Sequence, residues 1–175
     1  MMKLKTMVIS MGLLIGSMSS TALADSMLEV SGNLGLAYLM PDSGDSASGV
    51  GLDVALGFPM GLGLVPEVMI GYTVNDISPF SFNNLMVMGG ARFDFPISVI
   101  LEPFVYAHVG LCNLSLSYGS DTSDSTAYFG LNAGGGVRYM VADTVGVGIS
   151  AGPVFVFADD MLKYIRGNVH ALIRL

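Results

Sequence analysis

Five charged residues, Asp53, Glu67, Arg92, Glu102 and Arg138, are the strongest candidates for chemistry in this chain. Each sits in a strand pattern of period two, clear except around Glu102, where Phe104 and Tyr106 share its face, so in an extended strand its side chain points away from the apolar parity. If Phe95 faces Val99 across Pro96-Ile97-Ser98, Arg92 lies opposite Glu102, a pair favourable where water is scarce. If Phe58 faces Leu62 across Pro59-Met60-Gly61, Asp53 lies opposite Glu67. Two adjoining acids need a shared proton, a cation or an arginine. Arg138 projects to the same level, with Gly134, Gly136, Gly146 and Gly148 leaving room for it. Such a network reads either as a gate in an ion path or as a plug filling a narrow interior.

Other reactive residue types give weaker signals. His108 and His170 are the only histidines, and neither has a serine or acid at a spacing that suggests a triad, so both read as satisfied interior residues. Cys112 is the single cysteine, which excludes an intramolecular disulfide; it reads as a small interior residue with no neighbouring base to activate it. Acidic stretches such as Asp42 to Asp45 and Asp121 to Asp124 are sparser than an oxygen-rich calcium loop. Gly134 to Gly136 falls inside a strand pattern and is no phosphate-binding loop. No catalytic residue, metal ligand or cofactor is therefore predicted.

The positioning elements follow from one alternation. Val50, Leu52, Val54, Leu56, Phe58, Leu62, Leu64, Val68, Ile70 and Tyr72 share one parity, while Gly51, Asp53, Ala55, Gly57, Gly63, Glu67 and Gly71 hold the other. Extended along the chain, this period predicts strands at Leu28 to Met40, Gly49 to Phe58, Leu62 to Thr73, Asn83 to Phe95, Val99 to Asn113, Thr126 to Met140, Val145 to Phe157 and Tyr164 to Leu175. Most are near the roughly 9 to 11 residues a tilted strand needs to cross a bilayer core. Connections alternate between longer polar ones (Pro41 to Ser48, Val74 to Phe82, Leu114 to Ser125, Ala158 to Lys163) and short ones (Pro59 to Gly61, Pro96 to Ser98, Val141 to Thr144). Pro66, Pro103 and Pro153 fall inside strands, and bulges are expected there.

Parity sends the apolar set outward. Asn33, Asp53, Glu67, Arg92, Asp94, Glu102, His108 and Asn132 fall inward, as do Arg138, Arg166, Asn168, His170 and Arg174. A slip of one residue would put arginines on the lipid face at about 2 to 4 kcal/mol each near the midplane. Outward aromatics mark two girdles: Tyr38, Tyr72, Phe129, Phe155 and Phe157 beside the long loops, and Phe58, Phe93, Phe95 and Tyr139 beside the short turns.

Composition agrees. The 175 residues are 52% hydrophobic and 12% charged, with 23 glycines, yet no spanning helix is written beyond the N-terminus. There, Lys3 and Lys5 precede an apolar run from Met7 to Ile15 and an Ala22-Leu23-Ala24 site, which predicts a cleaved signal peptide over 1–24 and a barrel domain over 25–175. The net charge of -7 speaks against nucleic acid. The predicted fold is all-β: an eight-stranded antiparallel up-and-down transmembrane barrel with short periplasmic turns and longer extracellular loops. The alternative is a secreted soluble barrel holding its apolar parity, and a hydrophobic ligand, inside.

The stretch FGLNAGGGVRYMVADTVGVGISAG and the final strand GNVHALIRL resemble the small eight-stranded outer-membrane β-barrels, the class of the OmpA transmembrane domain and OmpX. The resemblance implies outer-membrane lipid and lipopolysaccharide as surroundings. It also implies recognition of the last strand by the barrel-assembly machinery, although Leu175 stands where the family usually has phenylalanine. With the chain stopping at that strand, no peptidoglycan-binding domain is expected. The implied role is structural or surface-interacting and non-enzymatic, with a plugged lumen. A narrow channel or conduit for small or hydrophobic solutes is the alternative, and a lipid-A-modifying enzyme is less favoured.

Overall fold

The structure is a computed structural model, and it describes residues 28–40, 46–77, 80–95, 97, 100–118, 121–122, 125–159 and 161–175. The predicted signal peptide lies outside them. Alternating β-rich sequence forms β1 (Glu29–Leu39), β2 (Ala47–Gly57), β3 (Leu64–Ile77), β4 (Phe80–Asp94), β5 (Leu101–Tyr118), β6 (Asp121–Thr122), β7 (Thr126–Ala142), β8 (Val145–Phe157) and β9 (Leu162–Arg174). All pairings are antiparallel. The order β4-β3-β2-β1-β9-β8-β7-β5 closes through a β4–β5 ladder, so the eight long strands form a barrel. Closure leaves no wall edge unpaired, which a lipid-exposed sheet requires. β6 adds only to the tip of β5, through Ser117 and Tyr118.

The apolar parity faces out. Val50, Leu52, Val54 and Leu56 are 42–57% exposed, while Ala47, Gly51, Asp53, Ala55 and Gly57 are buried. That orientation overturns the soluble alternative, because a barrel in water would present the polar parity to solvent. The lumen then sorts by height. Charged side chains fill the end of the short turns, and an apolar cluster fills the end of the long connections.

Three features of the wall depart from expectation. The proposed bulges at the prolines are absent: Pro66 pairs with Ala91, Pro103 with Val137 and Pro153 with Ile165 in continuous register. The carbonyls of Pro66 and Pro103 still accept from Phe58 and Phe95 at 2.9 Å, so each proline loses a donor without breaking the ladder. The register shift that does occur falls between Met140 and Ala142. The expected polar loop from Val74 to Phe82 is largely strand, since β3 and β4 stay paired up to Ile77 and Phe80. Residues 78–79 lie outside the described residues.

The turn between β2 and β3 is longer than its sequence suggested. Gly61, Leu62 and Gly63 have φ of 83°, 53° and 84°, so Leu62 belongs to the turn and β3 starts at Leu64. Glycine occupies left-handed backbone freely, whereas Leu62 does so at a cost of about 1–2 kcal/mol. Its side chain is 96% exposed and makes no packing case for leucine. Leu62→Asn should therefore raise the unfolding free energy of the lipid-refolded protein by about 0.5–1 kcal/mol. Urea titration of tryptic protection would show it; an unchanged or lowered midpoint would remove the strain argument.

Candidate functional site in the barrel lumen

The five predicted residues all face the lumen, but not in the predicted pairs. In the β2–β3 register Asp53 faces Gly71, and Glu67 faces Gly57. In the β4–β5 register Arg92 faces Tyr106. The extra turn residues move each register by four positions, an even number that preserves parity while exchanging partners. The Asp53–Glu67 and Arg92–Glu102 pairings are thereby corrected.

What forms instead is a closed ring of alternating charge. Arg92 on β4 donates through Nη2 to Glu29 on β1 and through Nε to Asp94 Oδ1 at 2.7 Å. Arg174 on β9 reaches Glu29 Oε1 at 2.8 Å and Glu102 Oε2 at 3.1 Å. Arg138 on β7 reaches Glu102 Oε2 and Asp94 Oδ2, both at 3.0 Å. The cycle runs Arg92, Glu29, Arg174, Glu102, Arg138, Asp94 and back to Arg92, so each carboxylate bridges two guanidiniums. Planar, multiply donating arginine suits this bridging better than lysine.

Glu67 extends the ring inward. It accepts from Arg92 Nη1, and its Oε2 lies 2.9 Å from His108 Nε2. Asp53 belongs to a separate group, meeting Arg166 Nη2 at 2.6 Å and accepting from Asn33 Nδ2 at 2.5 Å. The ring is graded in exposure: Arg138 is almost wholly enclosed, while the Arg174 side chain is 23% exposed and forms the solvent-facing rim.

Wall glycines make room for the ring and for the aromatics beside it. Arg138 lies against Gly146, where an added Cβ would come within 2.7 Å of its Cδ. Phe104 packs over Gly136, Tyr106 over Gly134 and His170 over Gly148. Arg138 also stands 5.5 Å above the Phe104 ring, a cation–π contact.

Above the charges lies an apolar cluster. Met69, Met86, Met88, Cys112, Val154, Val156 and Tyr164 are 0–3% exposed and pack together. Asn84 Nδ2 donates to the Tyr164 hydroxyl at 2.8 Å, which in turn donates to Met86 Sδ at 3.3 Å. Cys112 is free and buried in this cluster. No group of three or more His, Cys, Asp or Glu suited to a metal ion occurs among the described residues.

Sequence reasoning missed Glu29, Asp94 and Arg174 as members of the ring, and it missed the methionine layer. Asp94 and Arg174 had inward parity, but only ring closure brings the first and last strands together. Met69, Met86, Met88 and Cys112 share the inward parity of Glu67, Arg92 and His108, which was the available signal. Of the aromatic girdle residues, Tyr38, Tyr72, Phe129 and Phe157 are exposed on the outer wall, as are Phe93, Phe95 and Tyr139; Phe58 and Phe155 are half-buried.

A closed barrel with a lipid-compatible exterior and a paired polar interior defines a transmembrane β-barrel. The chain belongs to the outer membrane protein beta-barrel domain family, which it matches over residues 10–164, and it is a protein of the bacterial outer membrane. Among solved structures it is similar to Neisserial surface protein A (19% identity, TM-score 0.74, covering 85% of this chain and 97% of that one). It is also similar to Ail, the attachment invasion locus protein of Yersinia pestis (14% identity, TM-score 0.58, 86% and 99% covered). The outer membrane enzyme PagL shares the architecture as well (17% identity, TM-score 0.52, 84% and 99% covered). At these identities the likeness is one of fold. No curated protein matches the chain.

Breaking the ring from its enclosed side strands several carboxylates at once. Arg92→Ala should cost about 3–5 kcal/mol, the range for removing one partner of a buried ion pair. Arg174→Ala, at the wetter rim, should cost about 1 kcal/mol because water can replace the guanidinium. Equilibrium urea unfolding in lipid vesicles compares them; equal losses would refute the graded burial of the ring.

Proposed function

We propose that the protein is a non-enzymatic barrel with a sealed lumen, serving a structural or surface-interaction role in the outer membrane. The observation that carries this is the filling of the interior from both ends. An ionic ring occupies the short-turn end, and a methionine, valine and tyrosine cluster occupies the other. An eight-stranded barrel is only wide enough for its side chains to fill. A conduit would have to break both seals, and they differ in kind, so no single charge switch opens the path.

The placement of the two histidines supports the same reading. His108 and His170 are buried in the lumen, and neither is accompanied by a serine hydroxyl in the polar contacts around it. A lipid-modifying enzyme needs its nucleophile and base where lipid can reach them, and the outer wall offers apolar side chains. Fold alone would not decide this, as PagL illustrates.

A surface role is favoured by uneven strand lengths. β3, β4 and β5 run 14, 15 and 18 residues against 11 for β1 and β2, beyond the roughly 9 to 11 that cross the hydrocarbon. The excess of β5 lies past its last partner on β7, Thr126, and raises a ribbon above that rim. Ail has been solved with the heparin analogue sucrose octasulfate. A polyanion does not suit this chain: Arg92, Arg138, Arg166 and Arg174 are all in the lumen, and beyond the predicted signal peptide only Lys163 remains. Loops rich in Asp42, Asp45, Asp121, Asp124 and Asp159 fit a basic partner, or cations bridging lipopolysaccharide phosphates.

In this reading residues 1–24 are removed on export, both chain ends lie in the periplasm, and the β9 strand is the segment presented to the assembly machinery. The two aromatic belts sit at the membrane interfaces. Planar-bilayer recording tests the closure. Wild type, Arg92→Ala and Arg138→Ala should all lack discrete conductance, because the sulfur-rich layer survives each substitution. Stepwise currents in wild type would sink the sealed-lumen reading, and currents in the variants alone would make the ring a gate. Altered lipid A mass spectra on overexpression would restore the enzyme reading.

A further inference from the structure

Of Pro66, Pro103 and Pro153, the last loses its hydrogen-bond donor away from any ladder end. Pro66 and Pro103 lose theirs beside the short turns, opposite Phe58 and Phe95. Pro153 stands mid-wall, between Phe157 above and the Tyr139–Val147 pair below. Directly opposed residues in an antiparallel ladder alternate between exchanging two hydrogen bonds and exchanging none. Inward residues of β7 bond toward β5, as Met140 does to the Ile100 carbonyl, so its outward residues bond toward β8. Ala133 is one of these, and Pro153 opposite it has no N–H to give. The β7–β8 ladder accordingly lapses between the Asn132–Val154 and Gly135–Ala151 pairs, with no change of register.

Side chains do not mend the gap. By register the opposed residues are Gly134 and Gly152 on the lumen side and Ala133 and Pro153 on the lipid side, so the cross-strand contacts that stabilise a sheet are at their smallest here. On their far sides the two strands stay paired, β7 with β5 as far as Thr126 and β8 with β9 as far as Leu162. The weakness is therefore confined to the β7–β8 seam. Above the lapse only four pairs remain, from Asn132–Val154 to Phe129–Phe157. Val154 and Val156 in this stretch are wholly buried in the apolar cluster, and Cys112 Sγ lies against Gly130, the partner of Val156. Arg138 of the ionic ring lies below the lapse, where it pairs with Gly148.

We propose that residues 154–157 form a flap hinged at Pro153, which parts from β7 ahead of the rest of the wall and uncovers the apolar cluster while the ionic ring stays closed. A folded chain opens locally where the fewest bonds and contacts break at once, and this seam meets that condition. Packing of Val154 and Val156 against the cluster draws the flap shut again. The lumen thus has one end that opens and one that stays filled.

The test uses the whole chain refolded in lipid nanodiscs, read by amide hydrogen–deuterium exchange and by labelling of Cys112 with a water-soluble methanethiosulfonate. Amides of Phe129, Leu131, Phe155 and Phe157, which bond across the seam, should exchange about tenfold faster than those of Val87, Gly89, Val109 and Leu111, which lie at the same height in the unbroken β4–β5 ladder. Pro153→Ala, which supplies the missing N–H, should slow the first set about tenfold without moving the second, and should slow the Cys112 reaction with it. Pro66→Ala, whose lost donor lies beside a short turn, should change neither readout. Equal exchange in the two sets of wild-type amides would overturn the proposal. So would fast exchange that Pro153→Ala leaves as it was, which is ordinary fraying at a ladder end, or a Cys112 reaction rate that the substitution does not alter.

Discussion

A lipid-facing wall leaves charged side chains only one place to go, and the six-membered ring of arginines and carboxylates is the consequence. Three guanidiniums and three bridging carboxylates from β1, β4, β5, β7 and β9 satisfy one another across the barrel axis. Each charge gives up its hydration on entering the lumen, and only a neighbour of opposite sign at hydrogen-bond distance offsets that loss. Because β1 and β9 supply members, the ring exists only once the barrel has closed. It therefore ties lumen packing to wall closure, and it favours this register over slips that would scatter its members.

The rest of the interior is arranged around that demand. Charges are concentrated at the short-turn end, which leaves the other half to Met69, Met86, Met88, Cys112 and the valines of β8. Methionine suits this half of the lumen, since its flexible thioether fills irregular gaps. Glycines on β7 and β8 let Arg138, Phe104, Tyr106 and His170 lie flat over the strand next to their own. Where the ionic and apolar zones meet lies a cavity of about 50 Å³ lined by Asp53, Met69, Tyr106, His108 and His170 among others.

Function follows from what this leaves available. Most charged groups described in the lumen are spent on one another, which supports the platform reading proposed above. The side of the molecule with unassigned capacity is the rim, where the paired ends of β4 and β5 run on past the last partner of β5 on β7.

Much of this was legible in the residues alone. Alternation at period two fixed the strands, their outward and inward faces and the membrane as solvent, because each side chain's direction depends only on its own backbone. Arg92, Glu102 and Arg138 were legible as lumen residues for the same reason. Their partners were not. Partner choice depends on how many residues each turn absorbs, and the left-handed Gly61-Leu62-Gly63 turn displaced a register by four without disturbing parity. It depends too on contacts across the axis, such as Glu29 with both Arg92 and Arg174, which no hairpin count reaches. Sequence by itself determined which side of the wall each residue occupies; the closed tertiary structure decided which charges meet, since Coulombic pairing is a matter of distance in space and parity fixes only direction.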